Sequence, residues 1–216
     1  MIVSPGRGYV FVHIPKTGGT SMALALEDRA RADDILIGDT PKARRRRGRL
    51  KGVRVAGRLW KHSKLRDIRG LLPEAELARL RPVTLVRNPW DRMVSYYHWL
   101  RVQSFDHPAV ALAKATDFAG FLRDRELGEM LRRNPYSSYV RGGCDPIFIR
   151  LEHLAEDLPS FESLLGFRIE MPVANRSARA ADWRGYYDAE TRVRVSEICA
   201  ADIAAFGYRF EQAHRA

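Results

Sequence analysis

Two cysteines in 216 residues, Cys144 and Cys199, cannot build a disulfide framework. Neither has other ligating residues beside it, so both read as free thiols of a reducing compartment. Lysine is scarce as well: six of the 37 basic residues are lysine, and the net charge of +11 is carried by arginine spread along the whole chain. No run of eighteen apolar residues is present to cross a bilayer, and the opening MIVSPGRG lacks the pattern of a secretory leader. These absences lead to the expectation of a soluble cytoplasmic protein with no transmembrane segment, of bacterial type. Repeats, low-complexity tracts and linkers are also missing, so a single domain over residues 1–216 is expected, long enough to bury a full core.

One stretch lacks acids altogether. Between Asp39 and Asp67 there is no carboxylate, while Lys42, Arg44, Arg45, Arg46, Arg47, Arg49, Lys51 and Arg54 crowd together. A dense run of like charge repels itself and reads as a solvated, mobile loop over 39–58. The other reading is a patch that attracts an anionic acceptor such as an acidic glycan, or a membrane surface. Nucleic acid is not expected as a partner, because aromatic interleaving and known binding modules are absent.

What is present begins with YVFVHIPKTGGTS, residues 9–21. Tyr9 to Ile14 is a short apolar, β-branched run that reads as a buried strand. Pro15 ends it, Lys16-Thr17-Gly18-Gly19 makes a tight turn, and Thr20 and Ser21 open a helix with Ser or Thr at its N-cap. A strand, a glycine turn and a helix N-terminus aim backbone N–H groups at one point beside Lys16, which makes an anion site suited to a phosphate. The nucleotide-triphosphate loop places its lysine after the glycines. Here Lys16 precedes Gly18 and Gly19, so that pattern fails, and no strand ending in an aspartate is evident to hold magnesium.

A second constellation is PVTLVRNPWDRMVSYYHWL, residues 82–100. Val83 to Val86 reads as another buried strand with Arg87 at its end. Asn88 can cap a helix with Pro89 at its first position. Met93, Val94, Tyr97 and Leu100 give that helix a buried face. Arg87 and Ser95, eight residues apart, can reach one anion, the first with a planar fork and the second with a single hydroxyl. Asp91 and Arg92 read as surface or salt-bridging residues.

HIPKTGGTS together with LVRNPWDRMVSYYHWL resembles the two nucleotide-binding signatures of the PAPS-dependent sulfotransferases, and most nearly their carbohydrate sulfotransferase branch in its short bacterial form. IRLEHLAEDL (149–158) and the stretch from Asn175 to Phe210 are similar to the family too, so the likeness covers most of the chain. It implies that Lys16, Thr17, Gly18, Gly19, Thr20 and Ser21 bind the 5′-phosphosulfate end of 3′-phosphoadenosine-5′-phosphosulfate (PAPS). It also implies that Arg87 and Ser95 bind the 3′-phosphate, with no metal. Eukaryotic carbohydrate sulfotransferases are usually Golgi membrane proteins with disulfides, and this chain departs from them in both respects.

Sulfuryl transfer needs an in-line acceptor hydroxyl, a base, and neutralisation of charge on the leaving phosphate. Lys16 suits the last task. For the base, His62 in LWKHSKLRDI is preferred among six histidines, just before a helix that Ser63 can cap; Glu27 is the alternative. His13 reads as a packed structural residue. Residues 175–187 are expected to cover the nucleotide, with Ser177 and Arg184 as binding residues and Asn175 and Arg179 as further polar candidates. Trp183 and Tyr187 read either as stacking residues or as core anchors, and Arg150 with Glu152 as a structural ion pair.

Read coarsely, strands and helices alternate. Helices are expected over 63–72, 74–80, 117–127, 158–165 and 189–205, with a strand at 147–151. The expected fold class is α/β: a P-loop-like domain with a central parallel sheet flanked by helices. The favoured function is a PAPS-dependent sulfotransferase, releasing 3′-phosphoadenosine-5′-phosphate (PAP) and sulfating an acceptor hydroxyl on a carbohydrate, an anionic glycan or a lipid-linked sugar. The alternatives are a P-loop kinase-like phosphotransferase and a non-catalytic protein that binds anionic glycan or nucleic acid.

Overall fold

The computed structural model describes residues 1–172, 179–180 and 182–211. Along the chain come β1 (Ile2–Ser4), β2 (Tyr9–Val12), α1 (Gly19–Asp28), β3 (Ile35–Leu36), α2 (Pro41–Arg46), α3 (Glu74–Leu77) and β4 (Arg81–Val86). There follow α4 (Pro89–Arg101), α5 (Pro108–Ala115), α6 (Phe118–Arg123), α7 (Arg125–Arg133), β5 (Ile147–Arg150), α8 (Leu154–Leu165), α9 (Ala189–Ile198) and α10 (Ala200–Phe206). Packing groups these into two compact units. One holds Met1–Val86 with the segment that starts at Tyr136, and the other holds Arg87–Pro135 with the C-terminal segment.

The first unit carries a five-stranded sheet in the order β3-β1-β2-β4-β5. The β2, β4 and β5 strands run parallel, with Phe11 opposite Val83 and Leu85 opposite Ile149. The α/β class and its parallel centre are therefore as expected. The expectation missed β1, which pairs antiparallel with both β2 and β3. Pro5–Arg7 form a single 3-10 turn that Gly8, at φ 73°, closes before β2. Five strands result, four pointing one way and β1 the other.

Tyr9 and Phe11 stand two apart and face the same way. With Ile2, Val83, Leu85 and Ile149 they pack against Met22 and Leu26 of α1 and Phe161 and Leu165 of α8. The Tyr9 ring meets Phe161 edge-on at 5.2 Å. The alternate residues Val10, Val12 and Val86 are buried as well, as strands covered on both faces require.

Several expected boundaries move for local reasons. The 39–58 segment, expected as a loop, carries α2 and a 3-10 turn at Arg47–Leu50. Thr40 caps α2 by accepting from Ala43 N at 3.2 Å, with Pro41 in the first turn. Its charges are also spent locally: Arg46 reaches the carbonyls of Arg31 and Asp34, Arg49 that of Ala32, and Lys42 that of Glu27. The expected helix over 63–72 shortens to a 3-10 turn at Leu65–Ile68. The 117–127 helix divides because Asp124 takes an extended conformation and caps α7. The 189–205 helix divides at Cys199.

The second unit is helical among the described residues. Around α4 lies an aromatic cluster in which Trp183 meets Phe210 at 5.1 Å and Trp90 meets Phe210 at 5.7 Å. The Tyr187 hydroxyl donates to Trp90 O at 2.7 Å. Trp183 and Tyr187 are thus core anchors. No helix among the described residues is long and apolar enough to cross a membrane. Replacing Phe161 by Ala should lower stability by about 3–5 kcal/mol, the usual cost of emptying a buried aromatic site. Urea denaturation measures this, and a loss under about 1 kcal/mol would contradict the placement of α8 on the sheet.

Candidate active site

After β2 the chain runs through His13 and Ile14 into a turn at Pro15–Gly18. Lys16 sits at φ 66°, in the left-handed region that residues other than glycine seldom occupy, and Gly18 follows at φ 87°. The helix begins at Gly19 with Gly18 as its N-cap, one residue ahead of the expected start and without a hydroxyl cap. The reason is that the buried Thr17 hydroxyl donates to Ile14 O at 2.9 Å and closes the turn on itself. Both glycines are required by packing. A Cβ on Gly19 would overlap the His13 imidazole, and one on Gly18 would fall 2.9 Å from Leu151 Cδ1. The N–H groups of Gly19 and Thr20 stand in the first turn, where no intrahelical acceptor exists. With the positive end of the helix dipole and the Lys16 ammonium nearby in sequence, the donor set suits an anion.

His62 is brought to the root of this loop. Its Nδ1 lies 2.8 Å from the carbonyl oxygen of His13. A carbonyl only accepts, so Nδ1 carries the hydrogen and Nε2 keeps its lone pair. The ring is held edge-on by His13 at 4.6 Å and by Trp60 at 5.0 Å. Burial pulls the His62 pKa down to about 4, and the neighbouring Lys61 pushes in the same direction against the backbone bond. His62 is therefore neutral at pH 7. His13 is held well below its ordinary value, first by burial and then by His62.

Ser63 does not cap a helix as expected. Its hydroxyl donates to Arg58 O at 2.7 Å and Trp60 O at 2.9 Å, building the turn that carries His62. Glu27 lies in the last turn of α1, about 12 Å along the axis from Gly19 at 1.5 Å per residue. Its carboxylate accepts from the Thr40 hydroxyl at 2.7 Å, and burial raises its pKa. It joins α1 to the start of α2, away from the loop.

In the second unit, Asn88 caps α4 by accepting from Trp90 N at 3.1 Å, with Pro89 in the first turn, as the sequence predicts. Asp91, Ser95 and His98 then share one helical face. Asp91 is only 1% exposed and accepts from Arg87 at 2.9 and 2.6 Å and from Arg179 at 2.6 Å. One carboxylate thus orients two guanidinium groups, one turn of α4 before the buried Ser95. Arg179 Nη1 and His98 Nε2 are buried without a hydrogen-bond partner among the described residues. Burial, and then Arg179 and Arg101, lower the His98 pKa. Asp91 is salt-bridging, as one of its two expected readings had it, and is buried rather than on the surface. The sequence reading did not foresee Arg179 as its partner or single out His98, for which the four- and three-residue spacing from Asp91 was the available signal.

The remaining candidates fall elsewhere. Arg184 donates to Phe210 O at 3.1 Å and Asp182 at 3.0 Å, with its charge 4.7 Å from the Trp183 ring centroid. Asn175 and Ser177 lie outside the described residues. Arg150 is a structural ion-pairing residue, with Asp157 at 2.8 Å and Glu156 at 3.3 Å. Cys144 and Cys199 are free thiols, and burial raises the Cys199 pKa to about 12.

No protein-family model matches the chain, and no curated protein matches its sequence. Among solved structures, the mouse sulfotransferase SULT7A1 complexed with PAP aligns with a TM-score of 0.52 and 15% identity over 93% of this chain and 85% of that one. Retinol dehydratase, in complex with androsterone and the inactive cofactor PAP, aligns with a TM-score of 0.49 and 17% identity over 95% of this chain and 83% of that one. The chain shares the fold of the first of these proteins, an α/β sulfotransferase fold.

The buried His62 makes a pH dependence measurable. Its folded pKa of about 4 lies below the unfolded value of 6.5, so the unfolded chain binds more protons between those limits. Stability should be full above about pH 6.5 and fall as pH drops through 4, by at most about 3 kcal/mol from this residue. His62→Asn, whose amide can still donate to His13 O, should flatten part of that slope, leaving the part due to His13. Denaturant unfolding at pH 7, 5.5 and 4 reads it, and parallel slopes in both proteins would refute the assignment.

Proposed function

We propose that the protein is a PAPS-dependent sulfotransferase that transfers a sulfuryl group to a hydroxyl of a carbohydrate acceptor. The observation that carries this reading is the anchoring of His62 on the His13 carbonyl, with Nε2 left as a base beside the Lys16 loop. The shared fold with a PAP-bound sulfotransferase supports it. So does the donor-rich cluster of Arg87, Arg179, Ser95 and His98, whose orphaned buried nitrogens suit a phosphate.

The co-substrate supplies sulfur bonded through a bridging oxygen to the 5′-phosphate. On this reading the Gly19 and Thr20 N–H groups and the Thr20 and Ser21 hydroxyls hold that end, while Thr17 shapes the turn and Gly18 admits it. Arg87 and Ser95 bind the 3′-phosphate, joined by Arg179; Ser177 and Arg184 belong to the same segment and the same proposal. His62 Nε2 takes the acceptor's proton as its oxygen bonds to sulfur. The sulfur–bridge bond breaks, and the Lys16 ammonium offsets the negative charge left on the bridging oxygen. Lysine and arginine supply the neutralisation, so no metal is required. A cytoplasmic, bacterial setting completes the reading and rests on the unpaired cysteines and the composition.

Calorimetry should show PAP binding much more tightly than adenosine 5′-phosphate without added metal. Equal affinity, or an absolute need for magnesium, would falsify the reading. In single-turnover assays, His62→Ala should retain PAP affinity and lose about a hundredfold or more in rate. Lys16→Ala should lose rate at saturating nucleotide. A folded His62→Ala protein with full turnover would remove His62 from the chemistry.

A further inference from the structure

The first unit holds a cavity of about 540 Å³ lined in part by Trp60 and Lys61, the two residues that precede His62 in the chain. We propose that this cavity receives the acceptor, and that the acceptor is an anionic saccharide bearing a carboxylate or sulfate group. The proposal rests on the sulfotransferase reading above and adds the acceptor's chemistry and place.

The volume is that of a small-molecule site, with room for one or two sugar rings. Leu36, Ala43, Leu50 and Leu59 supply an apolar floor. Trp60 is 42% exposed, although large aromatic side chains are usually well covered. An indole with that much free surface beside a cleft offers a platform for the C–H face of a sugar, and its ring stands perpendicular to that of His62 with centroids 5.0 Å apart. A ring docked on Trp60 therefore has its hydroxyls near the candidate base.

The charge at the rim sets the second half of the class. Arg47, Arg58 and Lys61 line the cavity against one carboxylate, Asp39. Asp39 is engaged by Lys61 at 2.8 Å and faces Arg47 at 3.9 Å. The Arg58 guanidinium lies 5.4 Å from the Trp60 ring centroid, where the ring's quadrupole holds it. Three cations to one anion leave the cavity positive. The basic run also divides by role: Lys42, Arg46 and Arg49 bind carbonyls at the end of α1, whereas Arg47 turns to the cavity. Single-stranded nucleic acid is served by a groove that follows successive phosphates between stacked bases. One cavity with one aromatic platform fits a saccharide better.

The test is calorimetry on PAP-saturated protein with two probes of equal length: a tetrasaccharide of alternating glucuronate and N-acetylglucosamine, and neutral chitotetraose. The glucuronate probe should bind at least tenfold more tightly, with affinity that falls as salt is raised. The exposed double change Arg47→Gln/Arg58→Gln should weaken it about tenfold or more without altering PAP affinity, and Trp60→Ala should do likewise. Equal affinity for chitotetraose, undiminished binding by the double variant, or tighter binding of a single-stranded oligonucleotide would overturn the proposal. PAP binding without saccharide binding overturns the acceptor proposal alone. Failure to bind PAP overturns the reading beneath it.

Discussion

The His13 residue organises the first unit's candidate site through two contacts. Its imidazole fills the space that a side chain at position 19 would need, so α1 can start only from glycine. Its carbonyl accepts the hydrogen of His62 Nδ1, which fixes the tautomer and leaves the lone pair on the other nitrogen. One residue at the end of β2 thereby joins the strand, the Lys16 loop, the first turn of α1 and the turn that carries His62. The neighbouring hydroxyls serve the same frame: Thr17 closes the loop on Ile14, and Ser63 closes the 58–63 turn.

Burial sets the chemistry of that frame. His62 is stripped of water by His13 and Trp60, so its neutral form is favoured across the physiological range. The second unit solves a different electrostatic problem. Asp91 is buried, and an isolated buried carboxylate is costly, but two arginines converge on it and share its charge. The pairing leaves Arg179 Nη1, and nearby in sequence to Asp91 the buried His98 Nε2, without a hydrogen-bond partner among the described residues.

Much of this was legible in the chain. The apolar runs at 9–14 and 83–86 announced parallel strands, because strands covered on both faces must be apolar on both. Asn88-Pro89 announced the start of α4, because a cap and a fixed φ are properties of two adjacent residues. Other elements were hidden for physical reasons. Four residues at 1–4 carry too little periodicity to declare β1, whose pairing depends on the turn at Gly8 and on β3 beyond it. The basic run looked like a self-repelling loop, yet carbonyls of the 27–34 segment accept from its lysine and arginines and let α2 form.

The sequence by itself determined the elements whose causes are local: the glycine turn, the capped start of α4 and the apolar strands. Only the tertiary structure anchored His62 at the root of the loop and fixed its tautomer, since it is 49 residues from the carbonyl that orients it. It alone put Arg179 on Asp91 across 88 residues, and turned Glu27 toward Thr40 and away from the loop. Local rules act over a few bonds, whereas burial and charge act through space. No spacing in the chain records which distant groups will share the same cavity.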